Sequence, residues 1–505
     1  MADRLVAQPR TLKFEIRACR TCARRKVKCD RTPECCNRCK LAGFRCLGYE
    51  DNFVFVPSRQ QNLQENASHR ANAIRRDVSR QYTTTASTRL SRQLNCLPQM
   101  RDICINFALT NLFRQPRKFS PQSPLTQSWF ELAAQASNLD VMPTADAIFA
   151  LSAAYFGRQH RHIAVLRHSM SLYSEALTNL NHRLQVSESA ITDKTLRDTM
   201  TLVVYEMIMN TTQNGWIMHA DGLSKLFQLR GALSFNTELA SDIFRSCRPL
   251  IVMRHMMLKK PCFLALSQWQ NGAWLGQMHF AGSLYQLHAL MCFIPGILSE
   301  AEILRNILEF TQEYKNRVMD LNKRIQKLVR RLFSWRLFWL SRNKHAVKVS
   351  SDCGAPEFAY PAVSVARKFS FDCLENANAS VLYCAMFIAL WRVGVAVLGP
   401  EFNVIEAFTS LDMTALPTMC ATTDLIYPCA SNNGHDMALE VCSMIEYHLM
   451  ECHRSMGAFD LIYPIYMARL ALQARPDLHL ELSALLKWIS DQESFSFAEH
   501  IVKPG

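Results

Sequence analysis

Glycine and proline are scarce in this chain, at 16 and 19 of 505 residues. A fold of many short strands needs both at its turns, so their shortage argues against a sandwich or barrel and for helices. The common catalytic motifs are missing too. There is no G-x-x-x-x-G-K-[ST] phosphate loop, no G-x-G-x-x-G, no G-x-S-x-G elbow and no H-E-x-x-H pair. The expectation is that the chain is not an enzyme. Its first residues, MADRLVAQPRTLKFEIRAC, hold no apolar run of signal-peptide length, which points to cytosol or nucleus.

Acidic residues are short at one end only. Residues 1–100 carry 20 Lys and Arg against 8 Asp and Glu, so +12 of the net +14 lies there and the other 405 residues are almost neutral. A cationic head on a neutral body suits a polyanion, either nucleic acid or an anionic membrane surface. One later stretch, Ala379–Gly399, approaches transmembrane length. Arg392 interrupts it and flanking basic anchors are lacking, so it reads as a core helix, and no membrane partner is expected.

What the head does have is cysteine. Seven of the 19 cysteines fall between residues 19 and 46. Their spacing is Cys19-x2-Cys22-x6-Cys29-x6-Cys36-x2-Cys39-x6-Cys46, one C-x2-C-x6-C half written twice. In a reducing compartment, close thiolate pairs suit zinc better than disulfides. Zinc takes four ligands, so six thiolates on one ion leave two unused. Two ions need eight ligand positions, which six thiolates fill only if two of them bridge, one from each half by symmetry. The cluster then carries a formal charge of −2, offset by the surrounding Arg and Lys. A piece of about thirty residues buries too little apolar surface to fold unaided. Metal binding must supply the folding energy, on the order of 10–16 kcal/mol for structural zinc in small peptides. No His or carboxylate in the repeat offers an open catalytic position, so the zinc is structural. Cys35 leaves an alternative for the fourth ligand: Cys36 keeps the C-x2-C spacing, while Cys35 gives C-x3-C.

Between Cys22 and Cys29 runs ARRKVK. A short helix starting near Cys22 would project Arg24, Arg25, Lys26 and Lys28 outward. A helix fits the major groove, where Arg and Lys bond the O6 and N7 of guanine. The second half, NRCKLAGFRC, would form a matching helix with Arg38 and Lys40 near phosphates.

These residues together resemble the fungal Zn(II)2Cys6 binuclear cluster, the DNA-binding module of a large family of fungal transcription regulators. The likeness covers Ala18 to Tyr49. It rests on the six ligands, the basic stretch, Asp30 after the third ligand, Pro33 in the connecting loop and the closing CLGY. It implies that Cys19 and Cys36 bridge two zinc ions, and that Arg25 and Lys26 approach a CGG-like triplet of double-stranded DNA. Ala23 stands where the family often has Arg, and the extra Cys35 lengthens the loop by one residue.

The implied organisation is an N-terminal tail (1–15), a DNA-binding module (16–49), a basic flexible linker (50–100) and a helical domain (101–505). The linker is polar and shows no heptad run for a coiled coil. The fold class is mostly α. Helical spacing recurs in AIFALSAAYFGRQ, LYSEALTNLNHRL, TLRDTMTLVVYEMIMN and HADGLSKLFQLRGA, with Gly231 suited to a helix C-terminus. A longer pattern runs from Ala301 to Leu340. Its stripe of Val318, Leu321, Ile325, Leu328, Leu332 and Trp335 is either a core face or a homodimer seam.

The body also resembles the helical regulatory domain behind many fungal zinc clusters. The carriers are LYSEAL near Tyr173, Tyr205–Glu206, and W..H..G...L...RG from Trp216 to Gly231, over roughly Asp102–Trp269. The expected function is thus a nuclear, sequence-specific regulator of RNA polymerase II genes, with co-regulators as further partners. The competing expectation is a ligand- or partner-binding helical protein with a non-specific nucleic-acid tether. Two histidine groups, His160 with His162 and His448 with Cys452 and His453, read as helix histidines before metal ligands.

Overall fold

In the computed structural model the described residues are parts of 21–46, then 97–112, 147–270, 284–350, 360–404, 425–426, 433–450 and 454–502, apart from a few single positions. The expected tail and the linker up to residue 96 lie outside them. The chain divides into two compact units, Met1–Val56 and Pro57–Gly505. The small unit contributes one described helix, α1 (Asn37–Leu41).

The large unit is mostly α, as expected. Its front half holds α2 (Leu97–Asn111), α3 (Ala147–Gln159), α4 (Ile163–Gln185), α5 (Asp193–Met209) and α6 (Gly215–Arg230), followed by α7 (Glu238–Met257). Its back half holds α8 (Leu284–Met291), α9 (Ile294–Arg305), α10 (Gln312–Arg342), α11 (Leu374–Leu398), α12 (Gly434–His448), α13 (Arg454–Ala471), α14 (Pro476–Gln492) and α15 (Phe497–Val502). Between α10 and α11, β1 (Val347–Ser350) pairs antiparallel with β2 (Lys368–Phe371), Val347 opposite Phe371.

Local chemistry sets the helix ends. Thr192, Thr237 and Thr311 each N-cap a helix (α5, α7, α10), the hydroxyl accepting from the amide three residues on. Asn210 closes α5 in the left-handed region at φ 48°. Gly231 closes α6 at φ 82°, a backbone that a Cβ would strain. The helix α2 begins at Leu97, at the end of the segment expected as linker.

The apolar stretch around Ala379–Gly399 forms α11, most of which is buried inside the body. Arg392, the residue that interrupts it, donates to the Leu470 carbonyl at the end of α13. The long Ala301–Leu340 pattern is two helices, because Asn306–Thr311 separates α9 from α10. The stripe is a core face: Leu321, Ile325, Leu328, Leu332 and Trp335 are buried within their own chain, with Val318 packed beside them. They are therefore not available as a dimer seam.

One buried ion pair ties α10 to α12. The Arg336 guanidinium donates to Glu440 Oε1 at 2.5 Å, and both side chains are essentially solvent-free. Glu440 Oε2 also accepts from the Ile426 amide at 2.6 Å, and the Cys384 thiol of α11 points at Oε1 from 3.3 Å. Arg336 lies over the Tyr383 ring at 4.8 Å. Burial would lower the Arg336 pKa, but Glu440, with smaller contributions from Cys384 and Tyr383, raises it, and the net shift is upward. Breaking such a pair leaves one buried charge uncompensated. Arg336→Met is expected to destabilise the chain by about 3–5 kcal/mol in urea unfolding, and Arg336→Met with Glu440→Leu to recover most of that loss. A single variant as stable as the parent would contradict this reading.

Candidate metal centre

Three cysteine sulfurs meet in the small unit. Cys22 Sγ lies 3.6 Å from Cys36 Sγ and 3.7 Å from Cys39 Sγ. A disulfide would need about 2.05 Å. Thiolates 2.3 Å from a tetrahedral zinc stand about 3.8 Å apart, so the spacing fits ligands of one ion. A second group unites Cys29, Asp30 and Cys36, with all ligand atoms of each group within 4.8 Å of one another. Cys36 belongs to both groups. Cys22, Cys36 and Cys39 are fully buried, Cys29 nearly so, and Cys46 packs against them. The donor set, soft sulfurs at ligand spacing in a shielded pocket, fits zinc.

The local fold explains the convergence. Cys36 is the N-cap of α1, and its sulfur accepts from the Cys39 amide at 3.3 Å. The C-x2-C spacing thus places two sulfurs on one side of the first turn. Cys22 sits in another helical turn, where the Arg25 amide bonds the Thr21 carbonyl and the Val27 amide bonds the Cys22 carbonyl. The latter is a six-to-one bond of the kind that ends a helix, so the turn stops near Val27. The expected helix is no longer than this among the described residues.

Asp30 ties the halves together. Its Oδ2 accepts from the Asn37 amide at 2.8 Å and its Oδ1 from the Arg38 amide at 3.1 Å. A carboxylate there satisfies two otherwise open amides of α1 and complements its dipole. The sequence marks Asp30 only by its position after the third ligand, without this role. Phe44 is a second unanticipated contributor, with the Arg25 guanidinium 3.7 Å above its ring. Stacking of this kind leaves the guanidinium edges open to a ligand.

Of the candidate ligands, Cys22, Cys29, Cys36, Cys39 and Cys46 are brought into one cluster; Cys19 lies outside the described residues, as does Cys35. Of the candidate DNA contacts, Arg25, Arg38 and Lys40 are exposed. Arg24, Lys26 and Lys28 lie outside the described residues.

The described cysteines of the body differ in kind. Cys104, Cys247, Cys262, Cys292, Cys373, Cys384 and Cys442 are buried and scattered. Burial lifts their thiol pKa values, to about 11 for Cys104 and Cys292 and about 12 for Cys373 and Cys442. They are inert packing thiols. The histidines are structural as well. His162 caps α4 through Nδ1, and His160 packs on Phe107 and Phe156. His448 is buried between the Met444 carbonyl and Asn378 Oδ1. Cys452 and His453 lie outside the described residues.

The short motifs of the front half also converge. The Tyr173 hydroxyl donates to Glu206 Oε1 at 2.6 Å and lies 2.8 Å from His219 Nε2. The hydroxyl has one proton, so His219 Nε2 carries the hydrogen and donates to it. Burial holds His219 down to about 4, which keeps its imidazole neutral. Tyr205 stacks on Tyr173 at 4.3 Å, and Thr211 donates to Glu206 from both its amide and its hydroxyl. Gly215 is required beside them, because a Cβ there would come within 2.3 Å of Glu206 Oε2.

The Asp30 contact yields a direct test. Asp30→Ala is expected to cost about 1 kcal/mol of α1 stability, read as roughly five-fold easier loss of zinc to a competing chelator. Unchanged zinc retention would show that the carboxylate does not brace the site.

Residues 78–291 match the family model described as the fungal specific transcription factor domain. The matched residues lie beyond the cysteine repeat and begin inside the segment read from sequence as linker. An uncharacterised protein of Emericella nidulans is 27% identical over 124 residues, covering 25% of this chain and 27% of that protein. A protein of Cryptosporiopsis sp. named as a transcriptional regulator is 28% identical over 148 residues, covering 28% of this chain and 32% of its own length. The chain thus spans a third or less of the curated relatives it matches. No solved structure matches it significantly. The front half of the helical body, with its Tyr173–Glu206–His219 network, is therefore similar to the domain found in fungal transcription regulators.

Proposed function

We propose that the chain is a sequence-specific DNA-binding regulator of RNA polymerase II transcription, acting in the nucleus. In this reading residues 16–49 form a binuclear zinc module. Cys19, Cys22, Cys29, Cys36, Cys39 and Cys46 hold two zinc ions, with Cys19 and Cys36 shared between them. The ions supply structure, not chemistry: they fix the two halves so that a cationic surface keeps one shape.

The observation that carries the reading is the double membership of Cys36. One sulfur at ligand distance from two donor groups is what a bridging thiolate requires, and the C-x2-C-x6-C repeat asks for such a bridge. The likeness of residues 78–291 to the fungal specific transcription factor domain supports it independently. Arg25 and Lys26 would read a CGG-like triplet in the major groove, with Arg24 and Lys28 beside them. Arg38 and Lys40, on the outer face of α1, would take phosphates and set the register. The helical body would gate this activity or recruit co-regulators. If the protein binds as a homodimer, its contacts use surfaces other than the α10 stripe.

Selection of binding sites from random duplexes by the zinc-loaded full chain is expected to enrich a motif with CGG-like half-sites. Chelation should abolish that enrichment, and affinity should fall steeply between about 50 and 200 mM salt as counterions are released. Lys26→Ala should relax base discrimination at one position and cost about 1–3 kcal/mol. Absence of any enriched motif, with residual salt-sensitive binding, would instead mark the head as a non-specific tether.

A further inference from the structure

A cavity of about 340 Å³ lies inside the helical body where its front and back halves meet. Helices α5, α7, α8, α11, α13 and α15 all contribute to its wall. The wall is mostly apolar, built from residues such as Met200, Leu250, Met253, Leu382 and Phe459. Pockets for small organic ligands start at about this volume and share this texture, apolar with a few fixed polar groups.

Three observations concern those polar groups. First, both helices with an internal proline present it to the cavity: Pro249 in α7 and Pro464 in α13. Each proline lacks an N–H, which removes the helical bond to the carbonyl four residues before it, at Arg245 and Asp460. Those two residues line the same space. Second, the His288 Nδ1 and the Tyr463 hydroxyl are buried without a hydrogen-bond partner. Other buried orphan atoms lie elsewhere in the body, but these two belong to residues of the cavity wall, where a ligand could supply the missing partner. Third, the one Lys or Arg among the described lining residues, Arg245, is already paired. Arg245 is in an ion pair with Asp242, and neighbouring Arg248 donates to the Tyr285 carbonyl at 2.7 Å.

The protonation states agree. Burial, and then Arg248, holds His288 down to about 3, so its imidazole is neutral. Burial also lifts Asp460 to about 7, against the opposing Asn378 amide that donates to its Oδ2 at 2.5 Å. The Tyr463 pKa is pushed up by burial, so its hydroxyl stays protonated.

We propose that this cavity is a binding site for a neutral, mostly apolar small molecule whose hydroxyl or carbonyl groups bond the Tyr463 hydroxyl and the His288 imidazole. A carboxylate ligand is disfavoured, because the guanidinium in the wall, Arg245, is already paired with Asp242, and Asp460 would repel it when ionised. The site joins α5 and α7 to α11 and α13, so occupancy bears on how the two halves of the body hold together. The inference stands whether or not the cysteine unit binds DNA.

The test is calorimetric titration of the full chain with matched probes: 1-naphthol and 4-phenylphenol as neutral ligands, 1-naphthoate and biphenyl-4-carboxylate as anions. At least one neutral probe should bind saturably at one site, about ten-fold or more tighter than its carboxylate partner. Met253→Trp, which fills the space, should abolish that binding. Tyr463→Phe removes only the orphan hydroxyl and should weaken it about five-fold with the fold intact, which guards against failure of the tryptophan variant to fold. No saturable binding of either neutral probe, equal or tighter binding of the carboxylates, or unchanged affinity in Tyr463→Phe would overturn the proposal.

Discussion

The small unit is organised around its cysteine sulfurs. Its described core is four buried cysteines with Val27 and Cys46 packed against them, far too little apolar surface to order a chain of this length. What the sequence offers in place of a core is a duplicated ligand pattern. In the structure the two halves meet at Cys36, whose sulfur is grouped with those of Cys22 and Cys39 and also with Cys29 and Asp30. The polar scaffold around it is economical. Cys36 caps α1 through its own sulfur, and Asp30 reaches across to the next two amides. Cross-linking by metal would turn these local bonds into a single rigid shape, and Arg25 on Phe44 would gain a fixed direction. A cationic loop without such bracing would bind polyanions but would not discriminate among bases.

The large unit is held on different terms. It has one continuous apolar core, so its specificity lies in a few buried polar contacts that only one packing can satisfy. Arg336 with Glu440 fixes α10 against α12, and Tyr173, Glu206 and His219 fix α4, α5 and α6. The cavity at the junction of the halves is the exception to this tight packing. Both internal prolines of the described helices line it, together with two residues, His288 and Tyr463, that carry a buried polar atom without a partner.

Much of this was legible from local signals. Gly231 and the 3.6-residue spacing of α3 to α6 are properties of short windows, and the helices follow them. The cysteine repeat was legible because ligand spacing is a local code. What could not be read was long-range. Asp30 carried no visible partner, since its amides lie seven and eight residues on and depend on how the halves fold back. The motifs LYSEAL, Tyr205–Glu206 and W..H..G looked like separate weak marks, and only the packing shows them as one network. The pattern from Ala301 to Leu340 misled because apolar spacing on α9 and α10 happens to run in step across the break at Asn306–Thr311. Pro249 and Pro464 would each read as helix ends, yet the helices continue through them because tertiary packing outweighs the lost bond.

Native mass spectrometry of the full chain purified under reducing conditions tests the central claim most directly. Two zinc ions per molecule, both lost when Cys36 is replaced by Ser, is the result this account predicts. A chain that carries one ion or none, or one whose cluster sulfurs are joined as disulfides, would contradict it.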